Sequence, residues 1–137
     1  MTTERINPAE LARPSGFSHA VAATGHMVFL AGQIGMDRHG KVVAGVVPQF
    51  EQALANLLTA LAAAGGHPAD LVSLTVYLTD VEDYQAHGKD IGAAWRRLAG
   101  TEYPAMAGVG VTRLWLPEAL VEIQGIAVVS ANEVSRS

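Results

Sequence analysis

The chain has no cysteine. That removes disulfides, thiolate metal sites and cysteine nucleophiles together. It fits a reducing compartment, and a cytoplasmic location is expected. Charge is also scarce, at 16% of residues, and the balance is acidic, with a formal net charge of -4. No Lys/Arg run occurs, and Arg96-Arg97 is only a pair. A general binder of nucleic-acid phosphates needs a positive surface, so no nucleic-acid partner is expected. No apolar stretch reaches the length of a membrane-spanning helix. The segment MTTERINPAELARP lacks the apolar region of a signal peptide, so neither membrane insertion nor secretion is expected. Five histidines (His19, His26, His39, His67 and His87) show no metal-ligand spacing. Ser18 and Ser73 have no His–acid partner implied by the sequence.

What remains is a chain of 137 residues, half of them hydrophobic. That length suits one domain with its own core. Residues 1–16 read as an irregular arm broken by Pro8, Pro14 and Gly16. Residues from Ser130 to Ser137 read as a polar, frayed tail. Phe17–Ala23 and His26–Gly32 read as strands, and residues 42–47 as a short edge strand or extended segment. Pro48–Ala64 is the clearest helix. Phe50, Leu54, Leu57, Leu58 and Leu61 share one face, and Gly65-Gly66 ends it.

Leu71–Thr79 alternates. Val72, Leu74, Val76 and Leu78 lie on the face expected to meet helices, with Ser73, Thr75, Tyr77 and Thr79 opposite. Asp80 is the expected N-cap of a second helix over residues 81–98, with Tyr84, Ile91, Trp95 and Leu98 on its apolar face. Residues 105–114 and 119–129 read as two final strands joined as a hairpin; Trp95 on the helix and Trp115 in the hairpin loop read as packing residues, with a cleft rim as the alternative for Trp115. The order describes an α+β domain, compatible with a sheet covered by two helices on one face. The uncovered face, with Ser73, Thr75, Tyr77, Glu122 and Gln124, suits a partly wet subunit contact or a pocket wall.

Glu122 and Gln124 project to the same side of the last strand, opposite Val121 and Ile123. A carboxylate beside a carboxamide in a sheltered groove can hold and polarise a water. The bland alternative is an exposed strand carboxylate without a special role. Gly108 and Gly110 share a face with Met106. They mark either a bulge or close backbone approach, or room for a ligand.

Several segments in order resemble the RidA/YjgF family. Tyr103–Val128 (YPAMAGVGVTRLWLPEALVEIQGIAV) is similar to its C-terminal signature. Gly32-Gln33-Ile34 resembles its turn after the second strand, and Gly16-Phe17 its Gly-Pro-Tyr segment. Ala62–Gly66 and Thr75–Asp80 fit its centre. The resemblance implies a chorismate-mutase-like fold with a mixed β-sheet and two helices on one face, a homotrimer with small-molecule clefts between subunits, and no metal or organic cofactor. It also implies hydrolysis of imines or enamines, with Glu122 at the place of the glutamate that holds the water. The implied ligand-binding residues are Phe17, Gly32, Gln33, Met106, Gly108 and Gln124.

One position departs from the pattern. The family's carboxylate-gripping arginine is replaced by Met106, whose thioether offers neither charge nor N–H donors. Arg113, seven positions on, falls on the opposite strand face and reads as structural or rim. Weak or absent standard 2-imino-acid deamination is therefore expected. The alternative is a non-catalytic trimer that binds a metabolite or a partner protein.

Overall fold

A computed structural model describes residues 3–130. It contains two sheets. Strands β1 (Thr3–Ile6) and β2 (Ala20–Ala23) form an antiparallel pair. Strands β3 (His26–Ile34), β4 (Leu71–Leu78), β5 (Ala105–Gly110) and β6 (Val121–Val129) form a mixed sheet in the order β3-β6-β4-β5. Helix α1 (Val46–Ala63) packs on β3 and β6 and meets α3 (Gly88–Ala99), which follows the short α2 (Val81–Ala86).

The core forms between this helical layer and one sheet face. Phe50, Leu54, Leu57 and Leu61 of α1 are fully buried against Leu71, Leu74, Val76, Val121, Ile123 and Val129. Each such side chain contributes about 1.5–3 kcal/mol relative to its exposed state. Leu58 is only half-buried, at the margin of that face. Trp95 of α3 is buried and stacks on Tyr103 with ring centroids 6.1 Å apart. Asp80 caps α2 as its spacing implies, accepting from the Asp83 N–H at 3.0 Å. Gly65, at φ 86°, ends α1 in the left-handed conformation that glycine tolerates.

Five expectations require correction. The arm over residues 1–16 is not wholly irregular, because β1 pairs with β2 and Arg5 anchors it. The Arg5 guanidinium donates to the Ala69 carbonyl at 2.8 Å and to Glu102 Oε2 at 3.1 Å. The second helix is two, giving three α-helices. It breaks at His87, where the imidazole bonds the Asp83 carbonyl at 2.8 Å and Gly88 follows.

Val72 leaves the helix-facing row. A register shift between Leu71 and Ser73 puts Leu71 in the core instead. The last two strands are not a hairpin. Residues 111–120 carry the chain across β4, so β6 sits centrally and β5 pairs in parallel at the edge. The alternating buried residues of β6 suit the centre, whereas β5, with Gly108 and Gly110, has little side chain to bury. Trp115, in that crossing loop, is 89% exposed and packs on no core. Residues 131–137 of the expected tail lie outside the described residues.

Candidate functional site

Strand pairing divides the candidate residues between the two sheet faces. Met106 is the partner of Leu74, and Gly108 of Val76, so both point to the helix-covered side. Because β5 is the edge strand, this side is incompletely roofed. A cavity of about 320 Å³ remains, lined by Gly16, Phe17, Val76, Leu78, Tyr84, Met106, Ala107 and Gly108. Phe17 reaches it from the arm, where its ring meets His19 edge-on at 5.2 Å. The arm is tied down by Ser18, whose N–H donates to the Pro104 carbonyl at 2.9 Å and whose hydroxyl donates to the Tyr103 carbonyl at 2.7 Å. A Cβ at Gly108 would meet nothing within 4 Å. The glycine therefore leaves volume and is not forced by backbone contact.

The cavity is apolar. None of its lining residues carries a formal charge, and its one polar side chain is Tyr84. The Tyr84 ring contacts Phe50 edge-on at 6.0 Å. Burial pushes its hydroxyl up to about 12, because the phenolate would lose its hydration there.

Glu122 and Gln124 occupy the opposite, helix-free face. Glu122 is half-buried and is the partner of Tyr77 on β4 and of Ile34 on β3. Gly32 backs it closely: a Cβ there would overlap the Glu122 carboxylate oxygen and stand 2.9 Å from its Cδ. The absence of a side chain at Gly32 thus lets the Glu122 carboxylate lie against the β3 backbone. The Tyr77 hydroxyl donates to Gln124 Oε1 at 3.2 Å. Beside Gln124 a second hollow of about 220 Å³ is lined by Phe29, Leu30, Ser73, Thr75, Gln124, Gly125 and Ile126. Phe29 is 72% exposed, leaving an apolar ring on an uncovered sheet.

The sequence-derived set therefore falls into two groups. Phe17, Met106 and Gly108 meet at the cavity, and Gly32, Glu122 and Gln124 meet on the open face. Gln33, partner of the buried Ile123, turns to the covered side, away from Glu122. Arg113 bonds the Leu114 and Trp115 carbonyls at 3.1 and 3.2 Å, a structural role in its loop. The sequence reading missed Tyr84 as a lining residue. Its helical spacing placed it with the apolar face, and no sequence signal marked it as a cavity residue. Among the described residues no cluster of His, Cys, Asp or Glu is arranged to hold a metal ion. None of the described helices is long and apolar enough to cross a membrane.

A mixed sheet with helices on one face and a small edge cavity defines an α+β domain. Residues 8–129 match the family model described as Endoribonuclease L-PSP. A RutC family protein of Pyrococcus horikoshii is 36% identical over 118 residues, covering 84% of this chain and 89% of that protein. A protein of Dermatophagoides farinae named 2-iminobutanoate/2-iminopropanoate deaminase is 30% identical over 132 residues, covering 94% and 99%. Among solved structures, the Rid family protein YyfB of Yersinia pestis, described as of unknown function, superposes with a TM-score of 0.83. It is 36% identical, covering 94% of this chain and all of that one. The chain belongs to the RidA/YjgF family.

Proposed function

We propose that this protein is a cofactor-independent hydrolase of imines or enamines whose attacking water is held by Glu122. The supporting observation is the close approach of Gly32 to the Glu122 carboxylate, which backs a half-buried acid against bare backbone. Relatives named 2-iminobutanoate/2-iminopropanoate deaminase support the reaction class.

In the proposed step Glu122 accepts a proton from water as its oxygen bonds to the imine carbon. That proton passes to the nitrogen to give a carbinolamine, whose hydroxyl proton then moves to the nitrogen as the C–N bond breaks and a carbonyl product and ammonia leave. Glu122 and Met106 face opposite sides of one sheet, so a single chain does not bring both to one ligand. The proposal therefore includes a homotrimer in which a neighbouring copy covers the open face, and the exposed Phe29 and Met27 fit such a contact. Met106 leaves the cavity without a carboxylate clamp, so 2-imino acids are poor substrates.

The test is ammonia release from freshly generated 2-iminopropanoate and from neutral enamines, with sedimentation at micromolar concentration alongside. Glu122→Gln is expected to abolish whatever turnover the native protein shows. Unchanged turnover removes Glu122 from the mechanism, and a monomer in sedimentation removes the trimer. The separation of Glu122 from the cavity within one chain also favours a second reading, a binding protein without turnover. Tight ligand binding with no ammonia release from either protein would support that reading.

A further inference from the structure

Tyr84 is half-buried at the edge of an apolar cavity. Its backbone is satisfied within α2: its N–H donates to the Asp80 carbonyl at 3.2 Å, and its carbonyl accepts from the His87 N–H at 3.2 Å. Its ring is fixed against Phe50. No described protein group bonds its hydroxyl, and the residue borders the cavity that Met106, Phe17 and Gly108 leave open. The surrounding groups are aliphatic, aromatic or thioether. Small-molecule sites typically combine such a wall with very few polar groups, which orient the ligand.

We propose that Tyr84 is the polar anchor of this cavity, donating a hydrogen bond to the carbonyl oxygen or imine nitrogen of an uncharged ligand with an apolar body. The proposal rests on reading the Met106 cavity as a ligand cleft, and it adds the ligand class and the recognising atom. An anionic ligand is disfavoured on the same grounds. A carboxylate would lose its hydration among apolar groups and find one neutral donor and no cation. Because its hydroxyl titrates near 12, Tyr84 remains a neutral donor throughout the physiological range. Met106 contributes a polarizable thioether able to lie along a ligand ring.

The test uses three probes of similar shape on the full-length protein, titrated by NMR. Acetophenone carries an acceptor, ethylbenzene lacks one, and benzoate carries a charge. Acetophenone is expected to bind most tightly. Tyr84→Phe keeps the ring on Phe50 and is expected to weaken acetophenone about five- to tenfold while leaving ethylbenzene within about twofold. Gly108→Leu, which grows into the open volume, is expected to abolish binding of both neutral probes.

The proposal is overturned if Tyr84→Phe leaves acetophenone affinity unchanged or if benzoate binds as tightly as acetophenone. It is also overturned if no probe binds at millimolar concentration, or if Gly108→Leu leaves binding intact. Acetophenone has no C–N bond to hydrolyse, so its binding reads the anchor without turnover. A failed turnover assay beside Tyr84-dependent binding would therefore refute the hydrolase and not the anchor.

Discussion

Gln49 offers the sharpest test of how the fold holds Glu122 in place. It lies in the first turn of α1 and is only 2% exposed. Its Nε2 donates to the Glu118 carbonyl at 3.0 Å, and its Oε1 accepts from the Leu120 N–H at 2.7 Å. The amide thus pins the crossing loop immediately before β6, two residues from Glu122. Gln49→Ala would leave one backbone carbonyl and one backbone N–H without their partner.

An unsatisfied buried group costs about 1–3 kcal/mol. Two of them, partly relieved by water entering the space, should cost about 2–4 kcal/mol. Gln49→Glu keeps the bond from Leu120 but sets a carboxylate against the Glu118 carbonyl, so a loss of similar sign is expected. Urea denaturation at fixed protein concentration, followed by far-UV circular dichroism, measures both. A Gln49→Ala variant within about 0.5 kcal/mol of the native protein, the size of an ordinary surface change, would show that the two bonds do not position the loop.

Gly32→Ala should push the Glu122 carboxylate aside while costing under about 1 kcal/mol, because the displaced group is the end of a flexible side chain. Turnover should then fall at least about tenfold, since small displacements of reacting groups are costly; unchanged turnover would contradict the role of that contact. Tyr84→Phe should also flatten the alkaline stability profile. The unfolded phenol ionises near its ordinary 10 and the folded one near 12. The native protein therefore holds this contribution below pH 10 and loses it as pH rises through 12, by roughly 2–3 kcal/mol. Parallel profiles for native and variant protein between pH 10 and 12 would refute the burial of that hydroxyl.

The elements with strong periodicity were legible in the sequence. The Phe50–Leu61 stripe, the Asp80 cap and the Leu74–Val76–Leu78 row reflect spacing and local chemistry, which a single strand of text carries. The strand order was not legible. Nothing local to β5 or β6 says that β4 lies between them; that depends on the reach of residues 111–120 and on competition for the central position. The register shift at Val72 is likewise a tertiary choice, made because Leu71 fills the core better.

For the site, alternation correctly paired Glu122 with Gln124 and Met106 with Gly108. It could not reveal that the two pairs face opposite sides of one sheet, because facing depends on register between strands. Tyr84 was hidden for a related reason. An amphipathic spacing marks a ring as apolar, and only the packed structure shows that the residue borders a cavity.

The central proposal is that Met106, at the place the family resemblance gives to an arginine, leaves the cavity without a carboxylate clamp. The direct measurement is ammonia release from 2-iminopropanoate by the native protein and by Met106→Arg, beside the Dermatophagoides farinae deaminase. A charge-assisted hydrogen bond contributes roughly 1.5–3 kcal/mol, so Met106→Arg should raise kcat/KM by about tenfold or more, chiefly through KM. The native protein should lag well behind the mite enzyme. A native protein that matches that enzyme, with no gain from Met106→Arg, would contradict the account.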